Sequence, residues 1–277
     1  MIIEELLGNS KVAAFDIFMV NAFGLGVNSG NPAGVCFLDE WYSTNELQSM
    51  ATQLNLNETA FIIPCKNNSW SIRFFSVKHE IDVCGHTILA AAHCLFENFT
   101  NQSTKNLDFI SKSGYVSAEK HSDGTVEIFL PKISFAQSRL SKPLVEGLGA
   151  YPEAVWKGIN YLCLFDSRES VVSISPDFSS LKSLSEVNGV IVTAVDDTGK
   201  FDFVSRYFAP RIGINEDYAT GSAHCMLVPF WSHRLRKTSL HSFQASSRGG
   251  QFWCKILKDS ISLRGNVEIF LSGKLNF

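Results

Sequence analysis

The sequence predicts an α+β protein built from two similar lobes. β-prone runs dominate the 277-residue chain and only a few stretches have helical periodicity. One unit also occurs twice. Arg73-Phe74-Phe75-Ser76 precedes Cys84-Gly85-His86 and an Ala-rich helix; Arg206-Tyr207-Phe208-Ala209 precedes Thr220-Gly221-Ser222-Ala223 and a second helix. Both copies read as aromatic strand, acidic loop, Gly, polar residue, helix, with 12 residues from Arg to Gly in the first and 15 in the second. Two copies suggest a duplicated lobe, because a solenoid would need more.

In chain order, Val12 to Val20 is an apolar strand and Gly34 to Leu38 a second, joined by the Gly- and Asn-rich loop Gly24 to Pro32. Ser43 or Thr44 caps a helix whose Leu47, Met50, Ala51 and Leu54 form one apolar stripe. Strands follow at Thr59 to Ile63, stopped by Pro64, and at Trp70 to Val77, before a helix from Gly85 to Phe96. Further strands are expected at Gly114 to Ala118, Thr125 to Leu130, Tyr161 to Phe165, Val171 to Ile174, Gly189 to Val195 and Phe201 to Phe208. Gln251 to Leu257 and Asn266 to Leu271 close the chain. The least patterned stretch, Pro131 to Pro143, marks the boundary between an N-terminal lobe (1–135) and a C-terminal lobe (136–277) whose last strand is free to pair across. Pro229 is expected to kink or shorten the second helix.

Composition narrows the function classes. Twenty-four basic against 27 acidic residues leave a net charge of −3 and no basic run, which disfavours nucleic acid or an anionic membrane as partner. No run of about 18 apolar residues exists to span a bilayer. Met1 to Glu5 lacks a basic leader, Asn67-Asn68-Ser69 matches the glycosylation pattern only formally, and the seven cysteines form no C-x-x-C pair. A cytoplasmic protein without a zinc or disulfide framework is expected.

Chemistry is expected at the two helix starts. The first N–H groups of a helix lack internal partners and sit at its positive end, so Gly85 and Gly221 can let an anion such as a carboxylate approach the backbone. His86 and Ser222 add side-chain donors; the competing reading is a tight turn with Ser222 as a cap. Glu58, leading into the apolar Thr59-Ala60-Phe61, is expected to be partly desolvated, a condition that favours acid/base use; a plain strand-end charge is the alternative. Asp217 either binds a substrate amine, pairs with Glu58, or caps its loop.

Five strings lie in one order: Gly30-Asn31-Pro32-Ala33-Gly34-Val35, Asn57-Glu58-Thr59-Ala60-Phe61, Arg73-Phe74-Phe75, Cys84-Gly85-His86-Thr87 and Glu216-Asp217-Tyr218-Ala219-Thr220-Gly221-Ser222-Ala223. Together they resemble the phenazine-biosynthesis PhzF family, relatives of diaminopimelate epimerase. The segment Phe243 to Gly250 is similar too, with Gln244-Ala245 where a Gln-Gly pair is common. The resemblance implies two pseudo-symmetric lobes, each a mostly antiparallel curled sheet around one helix, with the active site between them. It implies Glu58 as the proton-transferring group and His86, Asp217 and Ser222 as substrate-pocket residues. It also implies no metal or organic cofactor, and a homodimer. Related epimerases use two opposed thiols, one in a Cys-Gly motif resembling Cys84-Gly85; here the second lobe has Thr220-Gly221 at the matching place, so the pair is incomplete and Cys84 reads as a pocket-wall residue. The expected activity is cofactor-independent isomerisation of a small carboxylate-bearing metabolite. The alternative is a non-catalytic small-molecule-binding or protein-interaction protein on the same scaffold.

Overall fold

A computed structural model describes residues 13–66, 69–82 and 84–277. The leader reading at Met1 to Glu5, the start of the first strand at Val12 and the pattern beginning at Asn67-Asn68 lie outside the described residues. The first half of the chain runs β1 (Ala14–Ala22), β2 (Asn31–Phe37), α1 (Thr44–Leu54), β3 (Glu58–Pro64), β4 (Ser69–Ser76), β5 (Glu80–Ile81), α2 (Gly85–Asn98), β6 (Asn106–Ser111), β7 (Gly114–Lys120), β8 (Val126–Pro131) and β9 (Ala136–Ser138). After α3 (Lys142–Leu148), the second half runs β10 (Ala154–Lys157), β11 (Tyr161–Leu164), α4 (Arg168–Val172), α5 (Phe178–Lys182), β12 (Val190–Val195), β13 (Phe203–Ala209), β14 (Ile214–Asp217), α6 (Gly221–Leu235), β15 (Ser239–Gln244), β16 (Gly250–Ile256), β17 (Ser260–Gly265) and β18 (Val267–Asn276).

The two halves repeat one pairing scheme. In the first, β1–β2 is antiparallel, β2–β3 parallel, β3–β4 antiparallel and β4–β6 parallel, followed by the antiparallel β6–β7 and β7–β8. The second repeats this from β10 to β17: β10–β11 antiparallel, β11–β12 parallel, β12–β13 antiparallel, β13–β15 parallel, then two antiparallel steps. The halves are stitched together by exchange. β8 pairs with β17, β9 pairs with β10, and β18 pairs with β1 along its whole length. Each half thus closes its sheet with the final strand of the other, which hides strand edges that would otherwise stay open.

Helices α2 and α6 are buried on nearly every side, from Gly85 through Phe96 and from Gly221 through Ser232. A helix apolar all round belongs inside a wrapped sheet, and both sit in one continuous core with Phe23, Leu130 and Phe252. The outer helices are amphipathic. α1 starts with a capping box between Ser43 and Glu46 and lays Leu47, Met50 and Ala51 against Phe61 and Phe75. On the corresponding outer face of the second half, Val171 of α4 and Leu181 of α5 cover Val192, Val204 and Phe208.

Three local expectations are corrected. Val171 to Ile174 is the end of α4 and a loop, because Ser167 caps a helix by accepting from the Ser170 N–H. The strands β5, β6, β9, β10, β14, β15 and β17 fall where no strand is predicted; among them β6, β15 and β17 each pair antiparallel with a neighbouring strand across a short turn. Pro229 does not shorten α6, which continues to Leu235. The Cys225 carbonyl, deprived of its usual N–H donor, instead accepts from Ile133 N–H at 3.1 Å.

Candidate active site

The arginines of the duplicated unit set the geometry that leads to each helix. Arg73 grips Glu80 through Nε and Nη2 at 2.8 and 2.9 Å, and Arg206 grips Glu216 the same way at 2.7 and 3.0 Å. Such two-point pairs fix planar orientation as well as distance. They hold β5 and β14 in place, so the chain enters α2 and α6 from matching directions. The first turns of the two helices then meet: a Cβ on Gly221 would stand 3.3 Å from Gly85 Cα, and one on Gly85 3.4 Å from Gly221 Cα. Glycine at both positions permits the approach.

Where these helix ends meet lies a cavity of about 380 Å³, lined by Glu58, Cys84, Gly85, His86, Asp217, Thr220, Gly221 and Ser222. All six site residues expected from the sequence therefore come together. Glu58 reaches it from the start of β3, His86 from the first turn of α2, Asp217 from the end of β14 and Ser222 from the first turn of α6. Glu58, His86 and Asp217 are each at least 94% buried, their exposures being 6%, 4% and 5%. Ile81, Ile159, Ile212 and Ile214 give the rest of the wall an apolar character.

Glu58 and Asp217 differ in how their oxygens are engaged. The Oε2 atom of Glu58 lies 3.2 Å from His86 Nε2, is buried, and takes no well-directed hydrogen bond. Asp217 is saturated: Oδ1 accepts from Asn31 Nδ2 at 2.7 Å and from Tyr218 N–H at 3.0 Å, and Oδ2 accepts from the Thr220 hydroxyl at 2.5 Å. Burial raises the Asp217 pKa above the ordinary carboxylate range, His86 opposes that rise and Glu58 adds to it. For His86, burial opposes a charge on the ring. Negative charge on the Cys84 sulfur, and after it a hydrogen bond to and charge on Glu58, would favour it and lift the pKa well above the usual histidine value.

Several residues that shape the site were not singled out as site residues in the sequence. Asn31, fully buried, extends Nδ2 to Asp217, to the Ala219 carbonyl at 3.0 Å and to within 3.2 Å of His86 Nδ1. Gln244 accepts from Thr220 N–H at 2.8 Å and donates to the Asp217 carbonyl at 2.8 Å, pinning the turn before α6. The Gly30-Asn31-Pro32 string carried a signal: Gly30 has φ +77°, and a Cβ there would fall 2.4 Å from the Ala22 carbonyl. At Gln244-Ala245 the departure from Gln-Gly costs nothing conformationally, since Ala245 does not adopt a left-handed backbone.

Glu58, Cys84 and His86 each present one atom that can ligate a metal, all within 4.8 Å of one another; Glu119 of β7, His121 of the following turn and Glu127 of β8 form a second such group. In the first group the outer shell is unfavourable. A metal-bound imidazole normally donates its remaining N–H to an acceptor, but His86 Nδ1 faces the NH₂ of Asn31, whose orientation the Ala219 carbonyl dictates.

Fold and site together define a class: two pseudo-symmetric lobes of mostly antiparallel sheet, each around a buried helix, with charged groups at the junction of the two helix starts. The chain matches the model of the phenazine biosynthesis-like protein family over residues 20–273 and belongs to that family. It is 40% identical over 261 residues to an uncharacterized isomerase of Pseudomonas aeruginosa, covering 94% of this chain and 98% of the relative. It is 34% identical to the phenazine biosynthesis-like domain-containing protein 1 of Mus musculus, with 94% and 98% covered. A PhzF family crystal structure from Enterococcus faecalis superposes with a TM-score of 0.90 at 35% identity, covering 95% of this chain and 99% of that one. A hydroxyproline epimerase from Agrobacterium vitis shares the fold alone, with a TM-score of 0.65 at 12% identity over 95% and 92% of the two chains.

Proposed function

We propose that the protein is an isomerase that moves a proton within a small carboxylate-bearing metabolite without a cofactor, working as a cytoplasmic homodimer with lobes divided at residues 135 and 136. One observation carries the reading: Glu58 Oε2 is a buried carboxylate oxygen without a well-directed hydrogen bond, lining a cavity of ligand size. Glu58 takes the proton from carbon and returns it elsewhere on the same molecule. The N–H groups at Gly85 and Gly221, with the Ser222 hydroxyl, hold the substrate carboxylate. His86 lies beside the exchanging oxygen and orients the substrate, and Asp217, saturated by Asn31, Tyr218 and Thr220, fixes the wall opposite. The isomerase name of the Pseudomonas aeruginosa relative supports the reaction class. The test is a metabolite screen in D₂O read by mass spectrometry. The wild-type protein is expected to introduce deuterium into at least one carboxylate-bearing compound that Glu58→Gln leaves unlabelled. Equal labelling by the Glu58→Gln variant refutes the assignment of the base.

A further inference from the structure

Four groups around His86 form a set whose protons can be counted. The Thr87 hydroxyl donates to Cys84 Sγ at 2.8 Å, and the sulfur lies 3.4 Å from His86 Nδ1 and 3.7 Å from Nε2. Nδ1 is also 3.2 Å from Asn31 Nδ2, while Nε2 faces Glu58. Two protonation patterns fit the sulfur and the ring. In one, Cys84 keeps its proton and points it at an unprotonated Nδ1. In the other, that proton moves from sulfur to Nδ1, leaving a thiolate beside an imidazolium; the S–H bond breaks, the N–H bond forms and no other group changes.

Asn31 discriminates between them. The Ala219 carbonyl can only accept, so the atom of Asn31 facing it at 3.0 Å is the NH₂ group. The same NH₂ group faces Nδ1. A donor at that position is compatible with a bare nitrogen lone pair and opposes an N–H. The amide cannot turn to relieve the conflict, because its oxygen would then stand against both the Ala219 carbonyl and Asp217 Oδ1.

We propose that Asn31 is a positioning residue that keeps Cys84 and His86 as a neutral thiol–imidazole pair, with the ring proton on Nε2 facing Glu58. The geometry stands by itself; its catalytic meaning rests on the reading of Glu58 given above, since it leaves the carboxylate and not the sulfur as the exchanging base. The second half of the chain has no equivalent. Arg73 pairs with Phe61 and Arg206 with Val192, so Glu58 corresponds to Gly189. Thr59 pairs with Gly34 and Val190 with Tyr161, so Asn31 corresponds to Gly158. The Asn and the Glu occur together in one half and are both glycine in the other.

The test needs no substrate. In a Cys65→Ser background, which removes the exposed thiol, iodoacetamide is added to the folded protein and labelling at Cys84 is followed by mass spectrometry between about pH 5 and 8. Adding Asn31→Ala is expected to speed that labelling about tenfold or more near neutral pH, because a thiolate is the reactive form. A further His86→Gln change is expected to return the rate to that of the background. In parallel, ¹⁵N-histidine NMR of the wild-type protein, with His86 assigned by His86→Gln, is expected to show a neutral ring protonated on Nε2. An imidazolium signature in the wild-type protein overturns the proposal without any need for the Asn31 variant to fold. So does labelling that Asn31→Ala leaves unchanged, or acceleration that survives His86→Gln and therefore reports loosened packing. None of these outcomes bears on whether Glu58 exchanges deuterium, which the metabolite screen measures separately.

Discussion

Cys84 precedes Gly85 and His86 at the start of α2, and Thr220 precedes Gly221 and Ser222 at the start of α6. Their backbones are equivalent, each helix is wrapped by an equivalent sheet, and the two glycines touch. The side chains diverge. Around α2, the His86 imidazole lies 3.4 Å from the Cys84 sulfur and 3.2 Å from the buried Glu58 carboxylate. At α6, the Thr220 hydroxyl is spent on Asp217 and Gln244, and the position corresponding to Glu58 is Gly189, where the Tyr207 hydroxyl leaves no space: a Cβ there would lie 2.6 Å from it. Tyr207 in turn donates to Asn160. The repeat thus gives two like helix starts, with the Glu58 carboxylate beside one and Gly189 at the corresponding position beside the other. A single base suits a proton that leaves and returns on the same face of a substrate, whereas inversion at carbon calls for two opposed bases.

The largest effect expected from this asymmetry is on turnover. Glu58→Gln should lower proton exchange by about 10²- to 10⁴-fold, while Thr220→Val should leave measurable exchange in the same D₂O assay. Comparable losses in the two variants would mean that both lobes supply reacting groups.

The paired arginines are expected to differ in stability rather than chemistry. Arg206 is 9% exposed and also donates to the Ile174 carbonyl at 2.7 Å, so Arg206→Ala strands both Glu216 and backbone groups. A loss of about 3–5 kcal/mol is expected from urea unfolding. Arg73 and Glu80 are each about one-fifth exposed, and Arg73→Ala should cost about 1 kcal/mol or less after solvent screening.

A third difference is titratable. His224 takes the place in α6 that Ile88 takes in α2; it donates from Nδ1 to the Thr220 carbonyl, accepts from Ser242 and stacks on Phe252. Burial lowers its pKa to about 4, only partly countered by the Thr220 bond. The folded ring stays neutral while the unfolded one protonates below its ordinary value of 6.5. Stability is therefore unaffected above pH 6.5, falls between 6.5 and 4, and levels off below. About 3 kcal/mol is at stake over that window. His224→Leu should flatten this part of the unfolding free energy against pH, and an unchanged slope would show that His224 is not buried in its neutral form.

A fourth difference concerns the glycine in the second lobe. Gly189→Ala forces its Cβ against the Tyr207 hydroxyl and the Phe208 carbonyl at 2.6 and 2.7 Å. Overpacking of this kind should cost about 1–3 kcal/mol in thermal or urea unfolding. A neutral substitution would mean that Tyr207 yields readily and that the second lobe retains room for a side chain.

What the sequence determined by itself is local. The Ser43 cap, the apolar helices starting at Gly85 and Gly221, and the twin Arg-aromatic strands are legible because propensity, capping and periodicity act within a few residues. The order of the five motifs was enough to bring Glu58, His86, Asp217 and Ser222 into view together. Tertiary structure alone decided that β18 pairs with β1, since a strand that borrows its partner from more than 100 residues away carries no local mark of which partner it takes. It also decided the part of Asn31, 186 residues from Asp217 and 55 from His86. Its NH₂ group is oriented by a carbonyl that only the folded chain brings near. For the same reason Pro229 breaks a rule in the sequence and none in the fold: the carbonyl it leaves open is met by Ile133, from the segment that crosses between the lobes.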